Sequence, residues 1–328
     1  MEELEYTSGD TLRLVPVFFK GLGVTDSELD SVYRKVGKLY PGSAEGAKDI
    51  QELLGSELNI ISTSWDGFLY SMNDGIVHKK HIYGTSMNLD SYRDFYGFEK
   101  EAVISSLKRI AELKEIVIDD IDSFEGLKDD QFLDYMIMEN IFWNQLAKIP
   151  VVNEMYHTIR PIGSKEKAKA VMTASEKTGI PLDRTICVGD SSTDRDMLEL
   201  VREEGGITWT HNGKNSILDS ADFNLVTADY YMTVPLVAIA NRFGKNGLIL
   251  LARDWTYDSL LIYMEQSVGS ETYTKIKQRL DKIFIENNTP FSRFTYLPDQ
   301  DKKQLASLKD ENEKVRRGLR GEAIAGVR

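Results

Sequence analysis

The 328 residues carry 40 Lys+Arg against 52 Asp+Glu, a formal charge of −12, with 41% hydrophobic and 28% charged residues. That balance fits a globular chain of two units, or one core with a large insertion, and excludes fibrous and disordered classes. The acidity argues against a broad nucleic-acid or anionic-lipid surface, and the lone Cys187 excludes an internal disulfide and fits a reducing compartment.

No apolar run approaches the roughly 20 residues a membrane span needs. The acidic start, MEELEYTSGD, is the reverse of a signal peptide, so the expectation is a cytoplasmic protein without membrane insertion. Residues 10–38 read as two helices, with Thr25-Asp26-Ser27-Glu28 as a capping box. Tyr40-Pro41-Gly42 is a break, and a helix is expected over 44–54. Leu58-Asn59-Ile60-Ile61 is a short apolar run that stops at Ser62-Thr63-Ser64. Such a run reads as a buried parallel strand whose carboxyl end opens into a loop.

Residues 76–89 are a second extended candidate, and 98–148 are mostly helical, interrupted at 116–120. Residues 151–159 read as the approach to a strand, broken at Pro161-Ile162-Gly163. A helix over 165–178 is closed by Gly179 and Pro181. Thr185-Ile186-Cys187-Val188 is another apolar strand; it ends in Gly189-Asp190-Ser191-Ser192-Thr193-Asp194, and a helix over 195–202 follows. Further strand-like runs begin at 205 and 221, whereas 255–328 is charged and helical, without strands. Alternating short strands and helices over 40–240 predict an α/β layer with a mostly parallel sheet.

Ligands of parallel α/β sheets bind beyond the carboxyl ends of the strands. Two such ends present Ser62 with Thr63, and Asp190 with Asp194. Hard carboxylate oxygens four residues apart at a strand-to-helix turn suit Mg²⁺, and Gly189 permits close backbone approach. The competing reading is that both acids cap the next helix. Lys167 lies 23 positions before Asp190, so a helix and a strand return both to one sheet edge; an ammonium there would neutralise phosphoryl or carboxylate oxygens. Its competing reading is a solvated lysine among Lys165, Lys167 and Lys169.

His78 and His81, three apart in an extended stretch, face opposite ways and suit no shared metal. His211-Asn212-Gly213 borders the same strand ends. Tyr92, Phe95, Tyr96, Phe142 and Trp143 read as the core of an inserted helical layer rather than a stacking platform.

The apolar strand ending in Ser62, then Lys167, then Val188-Gly189-Asp190-Ser191-Ser192-Thr193-Asp194 resembles motifs II, III and IV of the haloacid dehalogenase (HAD) superfamily. Residues 167–197 look nearest to phosphoserine-phosphatase-like members. Tyr40-Pro41-Gly42 is similar to their lead-in, and the wider chain resembles a group of archaeal members, some labelled as an energy-converting hydrogenase subunit.

The resemblance implies a HAD-like Rossmannoid parallel sheet over 39–69 and 161–254. It further implies a helical cap remnant over 1–38, a mainly helical cap insertion over 70–160, and a helical C-terminal extension over 255–328 that offers a surface for a protein partner. It implies Mg²⁺-dependent hydrolysis of a small phosphomonoester through an aspartyl-phosphate. Ser62 would donate to a phosphoryl oxygen, Lys167 would offset its charge, and Asp190 with support from Asp194 would hold the metal; Gly189 and Ser191 would complete the cofactor-binding loop.

Motif I is missing: no apolar strand ending in Asp-x-Asp precedes Ser62, and neither Asp10, Asp26, Asp30 nor Asp49 fits. That motif occupies the central strand of the family's sheet and supplies its nucleophile. Three explanations stand side by side. The true start lies upstream of Met1 and brings the strand; or the chain is an inactive relative with a binding or assembly role; or Asp120-Ile121-Asp122, after Ile116-Val117-Ile118, substitutes in a permuted core.

Overall fold

The computed structural model describes residues 9–56, 58–73, 75–113, 129–287 and 289–320. In chain order, α1 (Thr11–Leu14), α2 (Pro16–Leu22), α3 (Asp26–Val36) and α4 (Ser43–Leu54) precede β1 (Ile60–Trp65). α5 (Asp66–Asn73) leads to β2 (Ile82–Thr85), and α6 (Gly97–Ala111), α7 (Asp129–Glu139) and α8 (Pro150–Thr158) follow. α9 (Lys165–Thr178), β3 (Ile186–Gly189), α10 (Arg195–Glu203), β4 (Ile207–His211) and β5 (Phe223–Val226) build the second half. α11 (Thr233–Arg253), α12 (Tyr257–Glu265), α13 (Ser270–Asp281), β6 (Arg293–Tyr296) and α14 (Lys302–Arg320) complete it.

Local signals explain several boundaries. Thr25 Oγ1 accepts from Glu28 N at 3.2 Å, and the Glu28 carboxylate accepts from Thr25 N at 2.9 Å, so α3 opens on the expected capping box. α9 spans the predicted 165–178 and stops at Gly179, whose φ of 70° needs a residue without Cβ strain. Residues 151–159 depart from expectation. They form α8, because Pro150 sits at its first position, and Val151, Val152, Met155 and Tyr156 bury one helical face. The C-terminal region also departs, since it contains a strand: β6 pairs antiparallel with β5, and Phe294 stacks on Phe223 at 5.0 Å between ring centroids. The interruption at 116–120 lies outside the described residues.

The sheet is divided. β1 pairs parallel with β2, and β3, β4 and β5 pair parallel in sequence with β6 at the edge; among the described residues no ladder joins the two groups. α9 bridges them, packing on both β1 and α10, and Ile61 of β1 inserts into the cluster formed by Val171, Cys187 and Met197. A strand inside a parallel sheet should be buried on both faces. Yet every residue of β1 is only half-buried, and Val188 on the outer edge of β3 is 36% exposed.

Above β1 and β2, residues from α1–α3 and from 87–159 share one hydrophobic cluster around Val17, Leu89, Ile141 and Tyr156. Phe142 and Trp143 belong to it, as do Tyr92 and Phe95, whereas Tyr96 lies on the surface, stacked on Phe98. A second cluster packs β4, β5 and β6 against α11–α13. No helix among the described residues is long and apolar enough to cross a membrane.

Candidate active site

β3 ends at Gly189, and the chain then folds back over its own acid. Asp194 Oδ2 accepts from the main-chain N–H of Asp190 and of Ser191, both at 2.9 Å, and from Ser191 Oγ at 3.2 Å. Lys167 Nζ donates to Asp194 Oδ1 at 2.5 Å. Both partners are buried, at 5% and 3% exposure. The amides of a tight turn point inward and demand an acceptor, and Asp194 supplies one carboxylate for two of them. Asp194 does not cap α10, whose N-cap position it holds without a side-chain hydrogen bond; its carboxylate instead closes a capping box with Ser191 over the 3₁₀ turn Ser192–Asp194.

Asp190 is different. Its side chain stays 34% exposed beyond β3, 3.4 Å from a nitrogen of Arg316. Its main-chain oxygen accepts from Lys214 N at 2.9 Å and from Arg316 Nη1 at 2.7 Å. Of the three neighbouring lysines, Lys165 and Lys169 are exposed and Lys167 is inward; only the first turn of α9 points at the loop, because Ser164 N binds Thr193 O at 3.0 Å and seats the helix there.

The middle of β1 meets the same place: Ser62, Thr63 and Ser64 lie inside the strand, which runs on to Trp65 and straight into α5, rather than in a loop beyond its end. A Cβ built on Gly9 would lie 2.8 Å from Thr63 Cγ2 and 3.7 Å from both Gly163 Cα and Thr193 Cγ2, so these residues surround one point. Thr63 Oγ1 is buried without a hydrogen-bond partner among the described residues. Ser62 Oγ accepts from Ser64 N at 3.2 Å. The structure thus brings Lys167, Gly189, Asp190, Ser191 and Asp194 together, with Thr63 of β1 near Thr193 across Gly9. It also adds Arg316, which no local signal in the sequence marks.

Other candidates fall elsewhere. His78 caps and His81 ends a 3₁₀ turn (Lys79–His81) rather than lying in a strand; His78 Nδ1 accepts from Lys80 N, and His81 Nδ1 lies 3.1 Å from Asn59 Oδ1. The Asp120–Asp122 pair lies outside the described residues. Burial pushes the Cys187 thiol up to about 12, with Asp194 adding to the shift, so it stays protonated at the β3 core.

His211 is buried at the end of β4, its ring stacked on Tyr230 at 3.7 Å, and burial holds its pKa down to about 3 from 6.5. Between those values the unfolded imidazole takes a proton that the folded one refuses. The stability that the neutral His211 contributes is therefore fully present above pH 6.5 and is lost as pH falls below it, by up to about 1.4 kcal/mol per unit. His211→Phe keeps a ring against Tyr230 and should flatten that acid slope in urea midpoints taken between pH 7 and pH 4. Identical slopes in the two proteins would contradict a buried neutral imidazole.

A search of curated proteins finds no match. Among solved structures, the gene product AF1437 from Archaeoglobus fulgidus superposes with a TM-score of 0.67 at 20% identity, over 98% of this chain and 83% of that one. At that identity the likeness is one of fold. A family model described as haloacid dehalogenase-like hydrolase matches residues 48–230. That stretch contains β1, α9, β3 and the Asp190–Asp194 loop and is more than half of the sequence, so the chain belongs to the haloacid dehalogenase-like hydrolases.

Proposed function

We propose that this chain forms the motif II, III and IV part of a Mg²⁺-dependent phosphohydrolase acting on a small phosphomonoester, with the nucleophilic aspartate carried by a strand lying between β1 and β3. The observation that carries this reading is the divided sheet: among the described residues, β1 and β3 each lack a ladder partner on one edge, and Thr63 of β1 and Thr193 beyond β3 both meet Gly9. A strand in that gap would bring its terminal carboxylate toward the Lys167–Asp194 pair and toward Thr63 and Thr193, which meet around Gly9.

Mg²⁺ needs one or two carboxylates and completes its octahedron with waters and phosphate oxygens. Asp190 offers an accessible carboxylate, whereas Asp194 is committed to the loop amides and Lys167. Among the described residues no group of three His, Cys, Asp or Glu is placed to hold an ion. The set fits as one arm of a Mg²⁺ site that shares a second acid with the added strand. When bound, the ion would supply charge neutralisation at the phosphoryl oxygens.

The chain's own residues have separate tasks. Lys167, anchored by Asp194, places a fixed positive charge beside the reacting centre. Thr63 and Ser62 offer hydroxyl donors from within β1. In the first half-reaction a carboxylate oxygen on the added strand bonds to phosphorus as the ester P–O bond breaks, and a second acid protonates the departing alkoxide. Water then cleaves the acyl-phosphate and releases inorganic phosphate.

The test is a polypeptide extended by the segment encoded upstream of Met1, assayed with Mg²⁺ against a panel of phosphomonoesters. Turnover is expected, falling by at least roughly 10²-fold with Asp190→Asn. A folded, extended protein that cleaves nothing in the panel would sink the enzymatic reading. One observation favours a second reading, a non-enzymatic binding or assembly subunit: Lys167 and Asp190 already have charged neighbours within the chain. That reading predicts stable co-purification with a protein partner and indifference to Mg²⁺.

A further inference from the structure

α14 meets the sheet along one stripe. Leu308 is buried in the cluster with Val171 and Met197, and Asn312 exchanges hydrogen bonds with Asn224 of β5 at 3.1 and 3.3 Å. Arg316, one turn further, reaches the loops beyond β3 and β4. The spacing of four places all three on one helical face. Arg316 Nη1 donates to the main-chain oxygen of Asp190 at 2.7 Å and of Asn212 at 3.0 Å, and lies 3.4 Å from Asp190 Oδ2.

Arg316 is only 6% exposed. A guanidinium this buried is unfavourable unless acceptors meet its hydrogens. Two of its acceptors are main-chain carbonyls, from loops that follow different strands. Asn212 adopts a φ of 50°, and its side-chain amide is locked to the main chain of Thr227, at 2.9 Å from Nδ2 and 2.8 Å to Oδ1. The exits of β3, β4 and β5 are thereby wired to one arginine.

We propose that Arg316 is a positioning residue for the site: docking of α14 fixes where the Asp190 loop stands, through the carbonyl contacts more than through the carboxylate. The role in catalysis rests on the reading of Asp190 as the metal-binding acid. The contact itself does not, and its test uses neither metal nor substrate, so the two can fail separately.

The test is amide hydrogen exchange on the whole chain. Arg316→Ala should speed exchange at Asp190, Ser191 and Lys214 by about tenfold or more. Arg316→Lys, which keeps a donor and the charge, should recover part of that protection. Leu308→Ala weakens the apolar anchor of α14 while keeping Arg316 and serves as the control; it should lower the melting temperature while speeding exchange in the loop clearly less than Arg316→Ala does. Asp190→Asn, which keeps its carbonyl, should also leave α14 protected to within about threefold. Unchanged loop exchange in Arg316→Ala, no recovery with lysine, or equal loosening by Leu308→Ala would overturn the proposal. So would an Asp190→Asn protein that loosens α14 as much as Arg316→Ala does.

Discussion

Lys167→Met is expected to destabilise the protein by about 3–5 kcal/mol, because removing one partner of a buried ion pair leaves the other charge uncompensated. Lys167 Nζ and Asp194 Oδ1 are 2.5 Å apart, and neither side chain is more than 6% exposed. Asp194 would retain three donors from Asp190 and Ser191, which places the cost toward the lower end of that range. A second substitution separates charge from shape. Asp194→Asn keeps an oxygen for the two loop amides but removes the charge, so adding it to Lys167→Met should recover at least about 1 kcal/mol. Urea unfolding followed by tryptophan fluorescence gives all four corners of that cycle. Purely additive effects would mean that the pair does not act as a pair.

Gly189→Ala should cost about 2–3 kcal/mol through overpacking. A Cβ there would stand 2.5 Å from Asp194 Cβ and 2.9 Å from its Cγ, closer than side chains approach. Asp194 cannot step aside cheaply, since its carboxylate holds the turn and the lysine together. Gly23→Ala is the matched comparison: Gly23 has a φ of 80° but nothing within 4 Å of a Cβ, so only backbone strain of about 1 kcal/mol applies. Urea midpoints check both. If Gly189→Ala were no worse than Gly23→Ala, the close packing of strand end against acid would be refuted.

Much of the fold was legible because its signals are local. β3 stops at Gly189 before small polar residues and α9 is bracketed by Gly179 and Pro181, whereas β1 runs on through Ser62-Thr63-Ser64 to Trp65 instead of stopping there. β6 was not legible: four residues gain strand geometry only by pairing with β5, about seventy positions earlier in the chain. Residues 151–158 mislead because Val151 and Val152 favour strands, while Pro150 and the burial of Met155 and Tyr156 select a helix. At the site, Asp190 and Asp194 look equivalent as letters. Turn amides claim one carboxylate and leave the other accessible, a distinction that exists only once the loop has closed. Arg316 sits on a highly charged helix that reads as solvated throughout; its burial comes from a stripe of Leu308 and Asn312 that only tertiary packing reveals.

The helical layer above β1 and β2 has an evolutionary consequence. Its hydrophobic cluster draws on Leu14, Val17, Phe18 and Leu29 from one stretch and on Val103, Ile141, Val152 and Tyr156 from another, with β1 and β2 threaded between them. A layer assembled from two separated stretches cannot be exchanged between relatives by a single recombination, because either piece alone leaves an apolar face uncovered. Diversification of this layer is therefore confined to substitutions that keep both halves complementary, so its two stretches should drift together rather than be inherited as a detachable module.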